Sequence, residues 1–287
     1  MAAKVNPKRR GGEHEHSVVR EQAMKGEIAR QYLSGRHAVV TGGGRGIGAA
    51  IARELARLGA DLTLMGRDAG VLDEHCAELL ADFGARAIAV TCDVGDAGSV
   101  AAAFATARQS YGDPYVLVNN AGQAEGGPIT QMPLAVWEGL LAVNLTGPYL
   151  CCREVLPAMM LAQAGRIVNI ASTAGLKGYN KMAAYCASKH GVVGLTRALA
   201  METVKIGITV NAVCPGYTDT EMAQKAVDNL VGALGKTPEE ARKMILRVIP
   251  RGTLIQPEEV ANAVGWLCSP DATAVTGQAI VVAGGEA

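Results

Sequence analysis

The chain has 287 residues, of which 49% are hydrophobic, and its 27 basic residues are balanced by 27 acidic ones. This length suffices for a single α/β domain with a full core, and the zero net charge excludes the strong positive field of nucleic-acid-binding proteins. No apolar stretch approaches the roughly 18 residues that a membrane span needs, and no apolar signal-peptide core follows the charged start of the chain.

Residues 1–35 differ in character from the rest of the chain. Lys4–His16 is charged and interrupted by proline and glycine, which is typical of a flexible arm. Ser17–Leu33 has a partial helical pattern that fits an oligomer contact, although a frayed extension is the simpler interpretation. We therefore predict a flexible N-terminal extension over residues 1–35 and a dinucleotide-binding catalytic domain over residues 36–287.

The cysteines indicate the compartment. They number seven, with no C-x-x-C pair and no metal-ligand spacing. Buried free thiols in a reducing environment explain this pattern most simply. We predict a cytoplasmic protein that holds no metal and has neither nucleic acid nor membrane as a partner.

From Arg36 onward, short apolar runs alternate with helical patterns. Because the runs are apolar on both faces, they favour parallel strands covered by helices on each side. The prediction is therefore a doubly wound (Rossmann) seven-stranded parallel sheet in a single α/β domain. The seven predicted strands are His37–Thr41, Asp61–Met65, Arg86–Thr91, Tyr115–Val118, Arg166–Ile170, Ile208–Val213 and Ala279–Ala283.

A glycine-rich loop connects the first strand to the first helical pattern. Glycines permit a tight turn, and the helix N-terminus offers free N–H groups to a pyrophosphate. The spacing T-G-x-x-x-G-x-G, which begins at Thr41, resembles the fingerprint of the short-chain dehydrogenase/reductase family. The loop residues expected to bind the cofactor are Gly42, Gly44, Arg45, Gly46, Ile47 and Gly48.

The end of the second strand bears on the choice of dinucleotide. Gly66 stands where the family pattern puts Asp in NAD-preferring members, and Arg67 follows it. A guanidinium pairs bidentately with phosphate oxygens, and Arg45 is a second cation nearby. We expect NADP(H) to be favoured, whereas the neighbouring Asp68 leaves NAD(H) possible.

Three further segments end predicted strands and resemble family motifs that contact the cofactor. Ligands bind along the carboxyl edge of open α/β sheets, where these segments converge. The resemblance implies an adenine contact after the third strand, a ribose floor after the fourth (N-N-A-G) and a carboxamide contact after the sixth (P-G-x-x-x-T). The residues concerned are Asp93 and Val94; Asn120, Ala121 and Gly122; and Pro215, Gly216, Thr218 and Thr220.

Tyr185 and Lys189 form a Y-x-x-x-K motif. On a helix they lie one turn apart on one face. An unperturbed tyrosine has a pKa of about 10, and we expect the ammonium of Lys189 to lower it. Both residues are also expected to contact the cofactor, since Lys189 can donate to ribose hydroxyls.

Two more polar residues complete the resemblance. Ser172 follows the fifth strand, where its hydroxyl can orient a substrate oxygen or cap a helix. Asn144 is predicted inside a helix, where Asn is unfavourable without a reason. In the family, this Asn holds a water that relays protons to the lysine. The resemblance thus implies Asn144, Ser172, Tyr185 and Lys189 as the catalytic residues.

The segment 217–251 is predicted to form a helical lid that sets substrate specificity; a helical hairpin that seals the core fits it equally well. In Gly165–Thr173, Ala187–Gly194 and Gly207–Gly216, the chain resembles 3-oxoacyl-thioester reductases and aromatic polyketide ketoreductases. This implies reduction of a 3-oxoacyl thioester, on CoA or an acyl carrier protein, or of a polyketide-like ketone. Cations that would meet a carrier phosphate, if they are not simply solvated, are Lys225, Lys236, Arg242, Lys243 and Arg247.

Two other functions stay open. One is a catabolic NAD-dependent dehydrogenase of a 3-hydroxyacyl-CoA or cyclic alcohol, and the other is a non-catalytic dinucleotide-binding sensor. The resemblance also implies a homotetramer or homodimer. Leu150–Met160 and Ala272–Ala283 are apolar enough for its contacts, but also for plain core.

Overall fold

A computed structural model describes residues 31–286 of the chain. All seven predicted strands are present and form one parallel sheet in the order β3-β2-β1-β4-β5-β6-β7. The predicted fold class is therefore confirmed. The strands are β1 (His37–Thr41), β2 (Asp61–Gly66), β3 (Ala87–Thr91), β4 (Val116–Asn119), β5 (Gly165–Ile170), β6 (Ile208–Pro215) and β7 (Ala279–Val282).

Helices connect successive strands and cover both faces of the sheet. Asp68 and Asp96 begin the second and third helices by accepting hydrogen bonds from the N–H groups of Val71 and Ser99. The helices are α1 (Gly46–Arg57), α2 (Ala69–Phe83), α3 (Ala97–Tyr111), α4 (Leu134–Leu141), α5 (Gly147–Ala162), α6 (Ala183–Thr203), α7 (Glu221–Leu234), α8 (Pro238–Leu246) and α9 (Pro257–Cys268).

The core consists of two layers, one on each face of the sheet. Side chains of α1, α2 and α9 pack on one face, with Ile51 and Leu55 fully buried. Side chains of α3 and α5 pack on the other, around Phe104 and Val155. Every position of β5 and β6 is buried, as expected for strands covered on both faces, and these strands also bury the polar residues Arg166, Asn169, Thr209 and Asn211. The direction in which successive strands are added to the sheet reverses between β1 and β4, which lie side by side.

The segment 217–251 contains α7 and α8, which pack on each other around a small core of their own that includes Val227 and Ile245. The predicted start of α8 is confirmed. Thr237 and Glu240 form a reciprocal capping box, and Pro238 occupies the first turn. This segment is thus an ordered helical pair beside the carboxyl end of β6.

Most of the predicted N-terminal extension, including all but the end of the pattern in Ser17–Leu33, lies outside the described residues. Its last residues pack on the domain. Leu33 is fully buried, and the Tyr32 hydroxyl donates to the carbonyl oxygen of Gly265 at 2.5 Å.

All seven cysteines are free thiols, and five of them are buried. Among the helices in residues 31–286, none is long and apolar enough to cross a membrane. Over the same residues, no group of three or more His, Cys, Asp or Glu side chains is arranged to hold a metal ion.

Candidate active site

The glycine-rich loop is built for close backbone approach. Gly42 has a φ of +64°, and a Cβ atom on Gly48 would lie 2.0 Å from the Gly42 carbonyl oxygen. No side chain caps α1, since its N-cap residue Arg45 makes no cap hydrogen bond. The first amides of α1 are therefore left for an anion. This geometry fits the pyrophosphate of a dinucleotide.

Hydrogen bonds from the end of β4 hold this loop in place. The Thr41 hydroxyl accepts from the N–H groups of Asn120 and Ala121 at 3.0 and 3.1 Å. The side-chain amide of Asn120 donates to the carbonyl oxygens of Thr41 and Gly42, both at 3.0 Å. Asn120, predicted as a cofactor contact, thus uses its side-chain amide to hold the glycine-rich loop in place.

The region around the carboxyl end of β2 carries both positively and negatively charged side chains. Gly66 ends β2 with its α-hydrogen toward Leu72, and Arg67 is exposed next to it. Arg45 pairs with Asp68 at 3.4 Å and with Glu221 at 3.8 Å. Asp68 is therefore engaged twice, as the N-cap of α2 and as a partner of Arg45. An exposed pair of this kind is weak, so Arg45 can exchange its partners for a phosphate.

The other strand-end segments lie along the same edge. Asp93 is exposed, and its Oδ1 accepts from Gly95 N–H at 2.9 Å. Val94 is buried against Gly147. Beyond Pro215, the N–H of Gly216 donates to Val282 at 3.0 Å, which ties the loop to β7.

Thr218 and Thr220 follow on this loop. The Thr218 hydroxyl donates to the Gly216 carbonyl oxygen at 3.1 Å, and the Thr220 hydroxyl donates to the Thr218 carbonyl oxygen at 3.2 Å. The methyl group of Thr220 faces Gly46, since a Cβ on that glycine would lie 3.2 Å from it. The loop after β6 therefore borders the glycine-rich loop after β1.

Tyr185, Lys189 and Ser172 come together at the carboxyl end of β5. Tyr185 and Lys189 are one turn apart on α6 as predicted, with Lys189 Nζ 5.8 Å from the centre of the Tyr185 ring. Lys189 is buried and donates to the carbonyl oxygen of Ile170 at 2.8 Å. The Ser172 oxygen accepts from Ala174 N–H at 3.1 Å, which leaves the hydroxyl proton free to be donated.

Burial changes the proton affinity of both groups. Desolvation raises the pKa of Tyr185 above its usual 10, and a hydrogen bond with Ser172 opposes this rise. Burial also lowers the pKa of Lys189 to about 8. The expectation that Lys189 lowers the pKa of Tyr185 is therefore wrong for this geometry. Desolvation dominates for both side chains, and the ammonium is directed at Ile170.

Asn144 is buried in a π-helical turn, Ala142–Thr146, between α4 and α5. Its Oδ1 accepts from Gln123 N–H at 2.9 Å, and its Nδ2 donates to the Gln123 carbonyl oxygen at 2.8 Å and to Ser188 Oγ at 3.1 Å. The Ser188 hydroxyl in turn donates to the carbonyl oxygen of Tyr185 at 2.7 Å. Asn144 thus joins the loop after β4 to the helix of Tyr185.

Sequence reasoning missed two residues of this network. Ser188 lies three residues after Tyr185, so helical periodicity placed it on the same face and was a usable signal. Gln123 acts through its backbone, for which the sequence carries no signal.

Comparison with known proteins agrees with this geometry. The family model for short chain dehydrogenases matches residues 36–230. A putative ketoacyl reductase of the granaticin polyketide synthase from Streptomyces violaceoruber is 44% identical over 250 residues, covering 86% of this chain and 92% of the relative. A 3-oxoacyl-acyl-carrier-protein reductase from Pseudomonas aeruginosa is 40% identical over 253 residues, covering 88% and 98%.

A solved structure is similar over nearly the same span. The crystal structure of a variant actinorhodin polyketide ketoreductase with NADPH superimposes with a TM-score of 0.85 at 42% identity, covering 88% of this chain and 97% of that one. Both the family match and the relatives extend over most of the chain. The chain therefore belongs to the short-chain dehydrogenase family, as an NAD(P)-dependent oxidoreductase that acts on an alcohol or carbonyl group.

Proposed function

We propose that this chain is an NADP(H)-dependent ketoreductase that reduces a 3-oxo group to a secondary alcohol. The convergence of Tyr185, Ser172 and Lys189 at the end of β5, next to the N-N-A-G segment that holds the glycine-rich loop, carries this proposal. The ketoacyl reductases among its relatives support a 3-oxoacyl thioester or a polyketide-like ketone as the substrate.

Tyr185 is the proton donor. Its phenol is protonated at neutral pH, since burial raises its pKa above the usual value of about 10, and it is the group placed to protonate a carbonyl oxygen. The Ser172 hydroxyl donates to the same oxygen and stabilises the charge that develops on it. A bound nicotinamide dinucleotide supplies the hydride.

Water beside Asn144 resupplies the proton through Lys189. With a pKa of about 8, Lys189 releases and regains a proton near neutrality. Asn144 borders the Lys189 ammonium across Gly122, which suits a water that passes protons onward. The four proposed catalytic residues are therefore Asn144, Ser172, Tyr185 and Lys189.

The proposed cofactor site follows the carboxyl edge of the sheet. Backbone amides of the glycine-rich loop hold the pyrophosphate, and Arg45 and Arg67 hold a 2′-phosphate. We favour NADP(H) because no carboxylate stands at Gly66, the end of β2, and because Asp68 is engaged in capping α2. Contacts further along come from Asp93, Val94, Asn120, Ala121, Gly122, Tyr185, Lys189, Pro215, Gly216, Thr218 and Thr220.

The lid is proposed to admit an acyl thioester, and an acyl carrier protein is the proposed partner. All five lid cations predicted from the sequence are exposed, although Lys243 is paired with Glu239 at 2.7 Å. A carrier that docks by its phosphate would bind more weakly as salt rises. A KM for carrier-linked substrate that is independent of salt would argue against this docking.

The decisive experiment is a substrate panel. Purified protein is assayed with acetoacetyl-CoA, the carrier-linked analogue and a simple ketone, each with NADPH and with NADH. We expect the highest kcat/KM for a thioester with NADPH. Oxidation of a 3-hydroxyacyl-CoA or a cyclic alcohol with NAD⁺ as the fastest reaction would establish the catabolic alternative. Cofactor binding without turnover of any substrate would indicate a sensor.

We also propose that the chain forms a homotetramer or homodimer in the cytoplasm. On α5, Leu161 is 89% exposed and Met160 is 45% exposed, and Val281 of β7 is also exposed. Exposed apolar groups of this kind favour association. Size-exclusion chromatography with light scattering measures the mass of the assembly in solution, and the mass of a monomer would contradict the proposal.

A further inference from the structure

Glu286, just beyond β7, has a carboxylate in an unusual position. Its side chain is only 2% exposed, although burying a carboxylate costs stability unless it is paired and hydrogen-bonded. The carboxylate lies between two loops of the proposed site: residues 171–182, which carry Ser172, and residues 216–220, which follow β6.

On the first loop, Glu286 holds two residues. The Tyr179 hydroxyl donates to Glu286 Oε1, and Lys177 Nζ donates to the Glu286 carbonyl oxygen and lies 3.6 Å from Oε1. Tyr179 also shares a hydrogen bond of 2.7 Å with the hydroxyl of Thr173. Since Thr173 directly follows Ser172, a chain of contacts leads from Glu286 to the serine.

On the second loop, the other oxygen of Glu286 faces Gly216. A Cβ atom at that glycine would lie 2.8 Å from Oε2, which has no hydrogen-bond partner among residues 31–286. The next residue, Tyr217, has a pKa raised by burial and by the negative charge of Glu286. One carboxylate therefore contacts both loops.

We propose that Glu286 is a positioning residue that fastens the Ser172 loop to the loop after β6 and thereby fixes where the Ser172 hydroxyl meets the substrate oxygen. This inference rests on the proposed function. Glu286 acts through Tyr179 and Thr173 and itself touches no reacting atom. A carboxylate with one buried oxygen that finds no partner within residues 31–286 is a poor choice for stability alone, because replacing a buried ion pair by apolar side chains of similar volume is often neutral or stabilising.

Three variants test the proposal against a control. Glu286→Met removes the carboxylate at similar size, Glu286→Gln keeps an oxygen that accepts from Tyr179, and Tyr179→Phe removes the hydroxyl alone. The control is Glu154→Ala, which breaks another partly buried pair, with Arg108 at 2.7 Å, on α5. Each protein is measured for melting temperature, NADPH Kd, kcat and KM, and for hydrogen exchange in residues 171–182.

We expect Glu286→Met to keep the melting temperature and the NADPH Kd while kcat falls roughly 10- to 100-fold, as a small misplacement of reacting groups does. Tyr179→Phe should follow it, and Glu286→Gln should recover much of the rate. Exchange in residues 171–182 should accelerate in Glu286→Met and Tyr179→Phe, but not in the control.

Rates within twofold of the unaltered protein for both Glu286→Met and Tyr179→Phe would overturn the proposal, as would a kcat loss matched by an equal loss of NADPH affinity. If Glu286→Met does not fold, Tyr179→Phe decides. If the unaltered protein reduces none of the ketones, the proposed function fails. Hydrogen exchange then still tests whether Glu286 fastens the Ser172 loop. Exchange in residues 171–182 that is unchanged in Glu286→Met and Tyr179→Phe refutes that role.

Discussion

Lys189 Nζ and Asn144 Oδ1 border the same small volume beside Gly122. A Cβ atom on that glycine would lie 3.5 Å from the lysine nitrogen and 3.4 Å from the asparagine oxygen. A methyl group at this position would occupy space next to both polar groups, where a molecule of the size of water would otherwise contact them. The glycine of the N-N-A-G segment is thus tied to the proposed proton path as well as to the cofactor floor.

Gly122→Ala should therefore slow the reaction. We expect kcat to fall about tenfold or more, since groups that transfer protons contribute about 10²- to 10⁴-fold, and the NADPH Kd measures separately what the same methyl group does to the cofactor floor. The matched control is Gly139→Ala in α4, where an added Cβ meets nothing within 4 Å. Steady-state kinetics and cofactor titration compare the two, and equal kcat values would rule out this use of the space.

Tyr185→Phe deletes one hydroxyl and keeps the ring. Because that hydroxyl is the proposed proton donor, kcat should fall by about 10²- to 10⁴-fold, and the NADPH Kd should stay near its original value. Tyr149→Phe, at a tyrosine that is 48% exposed, serves as the control. Substantial residual turnover in Tyr185→Phe would refute the assignment.

The two directions of the reaction should respond oppositely to pH. Reduction consumes a proton, so its rate should decline as Lys189, with a pKa of about 8, loses its proton. Oxidation needs Tyr185 as a base, and since its pKa is raised above 10, that rate should keep rising through pH 9. Profiles of kcat from pH 6 to 10 in both directions test this, and parallel profiles would contradict it.

Local patterns predicted the strands and the strand-end motifs closely, because runs such as Ile208–Pro215 are buried on both faces and each ends at the ligand edge. Effects of tertiary structure were harder to predict. The rise in the pKa of Tyr185 comes from burial, which the Y-x-x-x-K spacing does not contain. The contact between Tyr179 and Glu286 joins residues 107 positions apart, and no periodicity links them.

Cofactor choice can be tested by restoring the acidic residue at the end of β2. The atoms nearest to a Cβ on Gly66 would be side-chain carbons of Leu72 at 3.5 Å or more, so Gly66→Asp should fold normally. Its carboxylate would repel a 2′-phosphate and accept from ribose hydroxyls. We expect KM for NADPH to rise about tenfold or more, since a charged hydrogen bond contributes about 1.5–3 kcal/mol, and KM for NADH to fall.

Removing the proposed phosphate ligands is the complementary change. Arg45→Ala and Arg67→Ala should each raise KM for NADPH and leave KM for NADH nearly unchanged. Arg53→Ala on α1 breaks a different surface pair, with Asp82 at 2.6 Å, and is the matched control. If the ratio of KM for NADPH to KM for NADH is unaltered in both arginine variants, the 2′-phosphate is held elsewhere.

Lys189→Met should stabilise the protein while it abolishes turnover. Burial lowers the pKa of Lys189 from 10.5 to about 8, so the folded state binds this proton less tightly than the unfolded chain. Each pKa unit corresponds to about 1.4 kcal/mol, and the full penalty, about 3 kcal/mol, is present below pH 8. Between pH 8 and about 10.5 the penalty disappears, because the folded protein then holds the amine neutral.

Methionine fills a similar volume without a charge, but it leaves the Ile170 carbonyl oxygen without the donor at 2.8 Å, which costs about 1 kcal/mol. We therefore expect a gain of about 1–2 kcal/mol in the free energy of unfolding at pH 7. The gain should shrink toward zero by pH 10. Urea unfolding at both pH values measures it. A variant that is less stable than the original at pH 7 would mean that the ammonium is stabilised by its surroundings, and that its proton is not easily released.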